Sequence, residues 1–216
     1  KFLDIKCVSA GLKPKALVLV ATIRALRHHG GATKDQYNEK SVTRVEAGFA
    51  NLKKHIENCR KFGLTPVIAI NAFPTDSLEE IDLVKNMCAE MDVKAVVAKG
   101  CAKGGDGMTD LAQTVVEEIE SGKNDFKALY DWELPIKEKI EIIAREIYGA
   151  DEVVYSKQAL IDLRKILKLG LDKLPVCMAK TQKSLSDNPK LLGAPTGFEV
   201  TIREFEYAVG AGFIVP

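Results

Sequence analysis

Asn71, Phe73, Pro74 and Asp76 follow directly on a short apolar, β-rich run that opens at Pro66. An aromatic face offers stacking area at low entropic cost, so Phe73 beside a rigid proline is a candidate platform for a flat ring. Asn71 and Asp76 are the polar groups that hold such a turn. If residues 66–71 form a strand of an open parallel sheet, the turn falls at its carboxyl end, where ligands of these sheets gather. Ordinary core packing is the competing reading of Phe73.

A second candidate is the glycine-rich stretch 99–107, which contains Cys101, Lys103 and Gly104 and joins an expected strand, with Val97 near its end, to an expected helix. Backbone N–H groups at such a junction can face an anion. A tight connection that uses glycines for positive φ accounts for it equally well. It is not a GxxxxGK[ST] phosphate loop, and the sequence contains none. Residues 180–187 combine hydroxyls, an amide and cations after an apolar run, suited to a polar ligand or to a solvated surface loop. His28, His29 and His55 have no carboxylate or cysteine at ligand spacing, so no metal site is expected.

These residues need a scaffold. Residues 16–22 are a continuous apolar run, expected as a central strand buried on both faces. Val45, Phe49, Leu52, Ile56 and Phe62 then recur at helical spacing, with Gly63 as the stop. After the strand 66–71, Ser77 and Glu80 form a capping box for a helix whose stripe is Leu78, Ile81, Val84, Met87 and Met91. A strand at 93–98 follows, and then a helix with Leu111, Val115 and Ile119 inward. The order β-α-β-α-β-α implies a parallel sheet covered on both faces.

Beyond Phe126 the rhythm changes. Pro135 opens a helix with Ile136, Ile140, Ile143 and Ile147 on one side. A second helix near 157–169 turns Leu160, Leu163 and Ile166 inward, and strands are expected at 174–179, 198–207 and 212–215. Residues 1–130 are thus expected as the parallel α/β unit and 131–216 as a helical pair with strands and a polar loop.

Lys plus Arg, 31, nearly balances Asp plus Glu, 30, and the charges are dispersed, which favours small-molecule or protein partners over nucleic acid or a membrane surface. Five cysteines without CxxC spacing read as reduced thiols. No apolar run approaches the ~20 residues of a membrane span and no leader is expected, so the location expected is cytoplasmic. The chain begins at Lys1 without a methionine and stops at Pro216 directly after an apolar run, which suggests a segment of a longer polypeptide.

The segments 1–7, 18–26, 48–52, 55–58, 71–76, 134–139, 147–151, 174–182 and 210–216 together resemble formate–tetrahydrofolate ligase, through essentially the whole chain. The resemblance implies the carboxyl-side part of that enzyme's catalytic region. The expected fold class is α/β: a three-layer, mostly parallel sheet with helices on both faces, like half of a P-loop NTPase without its P-loop, plus a smaller C-terminal α+β part. It also implies ATP, Mg²⁺ and tetrahydrofolate as substrates and cofactors, formyl phosphate as the intermediate, and self-association. A phosphate-binding N-terminal half is expected as a further partner, without which the chain is inactive. In the family the aromatic of the Asn-x-Phe-Pro-Thr-Asp turn is one wall of the folate slot, which carries over to Phe73, Pro74, Asn71 and Asp76. Val97, Cys101, Lys103 and Gly104 fall on the facing side of the slot, and Cys101 stands where the family has a tryptophan. The catalytic residues are not identified. The rival expectation is a degenerate or split paralogue that acts as a folate-binding or subunit-interaction module.

Overall fold

Leu17–Ala21 forms strand β1 in the computed structural model, which describes residues 1–178 and 184–216. Thr22 caps the helix that follows, α1 (Ile23–His29), its Oγ1 accepting the Ala25 N–H at 3.1 Å. Ser41 caps α2 (Val42–Lys61) in the same way. Strand β2 (Pro66–Asn71), helix α3 (Leu78–Glu90) and strand β3 (Ala95–Ala98) continue the alternation. A short helix α4 (Gly100–Lys103) and a 3-10 turn (Gly104–Met108) then lead into α5 (Thr109–Ser121).

The three strands form one parallel sheet in the order β1-β2-β3, with Ile70 paired to both Ala21 and Val97. Ile68 and Ile70 of β2 pack with Val45, Phe49, Leu52 and Ile56 of α2 and with Ile81, Val84 and Cys88 of α3. On the opposite face Val67, Ala69 and Ala98 pack with Leu111 of α5. Each such large side chain contributes about 1.5–3 kcal/mol by burial, which makes β2 the best-anchored strand and the natural support for a site at its end.

Three sequence expectations need correction here. The strand read as central, β1, is an edge of this sheet, with Val18 and Val20 at 40% and 63% exposure. An apolar run encodes suitability for burial on two faces but not the number of neighbouring strands. Leu78 and Ile119 are exposed rather than inward, because at helix ends the apolar period runs past the surface that a three-stranded sheet can cover. Helix α1 had no counterpart in the sequence reading, being only two turns long.

By density of internal contacts, Pro14–Lys127 forms one unit, and Lys1–Lys13 with Ala128–Pro216 forms the other. In the first, Asn124 ties the chain ends together: its Oδ1 accepts the Thr65 N–H at 2.7 Å and its Nδ2 donates to the Lys15 carbonyl at 3.1 Å. In the second, residues 2–7 form a π-helical turn whose Asp4 accepts the Leu129 N–H through its carboxylate and the Trp132 indole N–H through its carbonyl. Burial raises the Asp4 carboxyl above its ordinary value.

Helix α6 (Ile136–Ile142) runs into a π-helical turn (Ile143–Tyr148) that Gly149 ends, followed by strand β4 (Glu152–Tyr155) and helix α7 (Lys157–Lys168). Strand β5 (Glu199–Ile202) pairs in parallel with β4, and β6 (Glu206–Ala208) pairs antiparallel with β7 (Phe213–Val215). Strand β4 was not anticipated, and the run 198–207 is broken between β5 and β6. The strand expected at 174–179 shows a single bridge, Val176 to Ile214, within its described part. Leu160 is exposed, and α7 instead turns Ala159, Leu163 and Ile166 inward. Lys139, fully buried, donates its ammonium to the carbonyls of Asp172 and Leu174, each at 3.1 Å. Among the described residues no helix is long and apolar enough to cross a membrane.

Candidate functional site

Beyond the paired strands β2 and β3 the backbone stays in register for one further step, the Ala72 N–H donating to the Ala98 carbonyl at 3.1 Å. The turns that leave these two strands therefore start side by side. One carries Phe73 and Pro74; the other carries Cys101, Lys103 and Gly104. Phe73 is not sunk in the core: 37% of it is exposed, and Pro74 beside it is exposed as well. Asn71 ends β2 half-buried, and Val97 lies half-buried in β3.

Asp76 holds the turn. Its side chain is only 1% exposed, and its Oδ2 accepts the Phe73 N–H at 2.8 Å while its own N–H donates to the Phe73 carbonyl at 3.0 Å. The carboxylate thus closes the turn from inside. Its other oxygen, Oδ1, lies 3.8 Å from the Arg27 guanidinium and accepts no hydrogen bond.

Arg27 is the residue that sequence reasoning missed. It projects from α1, is completely buried, and donates to Glu80 through Nε at 2.8 Å and through a terminal nitrogen at 2.6 Å. It also donates to the Tyr37 carbonyl at 2.9 Å and to the Thr75 carbonyl at 3.3 Å, the latter within the turn that bears Phe73. Glu80 in turn accepts the N–H groups of Ser41 and Ser77 and the Ser77 hydroxyl. Burial by itself would raise the Glu80 carboxyl, but the hydrogen bonds from Arg27, Ser41 and Ser77 outweigh it and hold the group at about 2. One bidentate ion pair therefore locks α1, the start of α2, the start of α3 and the Phe73 turn together. The available signal was an arginine four residues after the buried Ile23, on the face that also carries Leu26.

A cleft of about 490 Å³ lies beside this lock, lined by Lys40, Ser41, Val42, Asp76, Ser77, Leu78 and Glu79. It shares Asp76 with the turn. Arg24, one helical turn before Arg27, lies with its guanidinium carbon 5.4 Å from the centroid of the Phe73 ring.

Cys101 and Lys103 are exposed on α4, and Gly104 turns the chain with φ of 56°. A Cβ at Gly107 would lie 2.5 Å from the Lys99 carbonyl oxygen, and the Lys99 N–H donates to the Gly107 carbonyl at 3.0 Å. Backbone closure alone thus accounts for glycine at 107. All five cysteines are free. His28 shares a 2.9 Å hydrogen bond with the Tyr37 hydroxyl. Among the described residues no group of three or more His, Cys, Asp or Glu side chains is placed to hold a metal ion. Of the polar loop 180–187, residues 180–183 lie outside the described residues; Ser184 and Ser186, which follow, are buried.

Ligands of parallel α/β sheets gather at the carboxyl ends of the strands, which is where this unit carries the turn with its exposed aromatic. The particular family follows from sequence: the family model described as formate–tetrahydrofolate ligase matches residues 1–216, and the chain belongs to that family. The family's enzymes are ligases of one-carbon metabolism that use ATP and a folate.

Proposed function

We propose that this chain supplies the tetrahydrofolate platform of a formate–tetrahydrofolate ligase, with the Phe73 ring and Pro74 as the surface on which the flat part of the folate stacks. The observation that carries the reading is the exposure of Phe73 at the end of β2 in a turn fixed by Asp76, Arg27 and Glu80. A ring held without freedom to collapse loses little entropy on binding. Asn71, Val97, Cys101, Lys103 and Gly104 line the ground on which the rest of the ligand lies.

The sequence has no GxxxxGK[ST] loop for ATP. Formate activation through ATP and Mg²⁺ is therefore assigned to parts of the enzyme beyond these residues. The purified chain is expected to show no formate-dependent ATP cleavage. The setting proposed is a cytoplasmic, self-associating enzyme.

In the complete ligase, Phe73→Ala is expected to raise the KM for tetrahydrofolate about tenfold, as loss of one aromatic wall implies, with the KM for ATP unchanged. Equal effects on both KM values, or none, would remove the platform from the account. A second reading rests on Cys101, an exposed thiol where the resemblance implies a tryptophan. On that reading the chain is a degenerate or split paralogue, a folate-binding or subunit-interaction module. Cys101→Trp tests the slot, since it strengthens folate binding only where the slot geometry survives; a variant that gains nothing favours the subunit-interaction module.

A further inference from the structure

Arg24 and Arg27 project from the same two-turn helix, yet their guanidiniums have opposite surroundings. Arg27 is enclosed and neutralised by Glu80. Arg24 is exposed, lies 5.4 Å from the centroid of the Phe73 ring, and donates to the neutral amide oxygen of Asn38 at 2.8 Å. No carboxylate among the described residues pairs with Arg24. Those nearest in the lock are already engaged, Glu80 by Arg27, Ser41 and Ser77, and Asp76 by the Phe73 N–H. An aromatic face and a neutral amide orient a guanidinium without cancelling its charge. The planar fork matches a carboxylate in bidentate fashion.

We propose that Arg24 is a specificity residue of the platform: its guanidinium receives a carboxylate of the glutamyl tail of the folate whose flat rings lie on Phe73. This rests on the reading of Phe73 given above. A tetrahydrofolate joins an uncharged bicyclic ring system to a tail whose carboxylates are ionised at neutral pH, so a cation held beside the ring platform reads the end that distinguishes a folate from a bare pterin. Each added glutamate raises the anionic charge near the same arginine. Asn38 sets the angle of the fork.

The test is titration calorimetry with two probes, tetrahydrofolate and 6-methyltetrahydropterin, which carries the rings without the tail. Arg24→Gln is expected to weaken tetrahydrofolate about tenfold, to reduce the salt dependence of its affinity, and to leave 6-methyltetrahydropterin within about twofold of the unsubstituted chain. Arg24→Lys, which keeps the charge and loses the fork, is expected to fall between them. Because Arg24 is exposed, an unchanged melting temperature checks that the fold is intact. Equal weakening of both probes, or of neither, overturns the tail assignment while leaving the platform standing. Phe73→Ala weakens both probes if the platform is right, and an unsubstituted chain that binds neither overturns platform and tail assignment together.

Discussion

Arg27→Met is expected to destabilise the Pro14–Lys127 unit by about 3–5 kcal/mol, the usual cost of removing one partner from a buried ion pair. The methionine fills much of the volume, so the loss is electrostatic: Glu80 stays buried with its guanidinium partner gone, and the Thr75 and Tyr37 carbonyls lose their donor. The pH dependence identifies the cause. Glu80 is held at about 2 against an ordinary 4.5, so its contribution, on the order of 3 kcal/mol, is complete above pH 4.5 and disappears as pH falls from there through 2. In Arg27→Met the guanidinium's hydrogen bonds are gone and burial is less offset, so the Glu80 carboxyl rises from about 2 and less stability is gained as pH increases. Urea unfolding from pH 3 to 7 should show the stability gap between the two proteins widening as pH rises. Introducing Glu80→Gln into both proteins should remove this widening. A gap independent of pH would mean that the loss came from packing.

Gly48→Ala carries the second large effect, above about 3 kcal/mol, because overpacking against rigid backbone leaves no side chain able to yield. A Cβ at position 48 would stand 1.9 Å from the Leu26 carbonyl oxygen and 2.9 Å from the Gly30 nitrogen. Helices α1 and α2 touch backbone to backbone there, and α1 carries both Arg24 and Arg27. Separating the helices displaces the platform's supports, so folate affinity should fall together with the melting temperature. A variant of unchanged stability would show that the two helices sit farther apart than described.

Much of this was legible from residue spacing. The 3.6-residue period of Val45, Phe49, Leu52 and Ile56 marks α2, and Ser77 with Glu80 marks the start of α3 through local hydrogen bonds. The Phe73 turn was legible because an apolar strand ends there against proline and aspartate. What stayed hidden is what distant segments decide. Whether β1 has one neighbour or two depends on strands that its own residues do not encode. Glu80 announced itself as a capping residue, but its second role needs Arg27, 53 positions earlier. That Asp76 holds the turn was legible, but its approach to within 3.8 Å of the Arg27 guanidinium was not. The cation beside Phe73 was likewise invisible, since Arg24 and Phe73 meet only after α1 has docked.

Calorimetric titration of the purified chain with tetrahydrofolate, beside its Phe73→Ala variant, tests the platform most directly. The account predicts saturable heat for the unsubstituted chain and an affinity weaker by about tenfold for the variant at equal thermal stability. Saturable binding of the same strength in both proteins, or no binding to the unsubstituted chain, would contradict it.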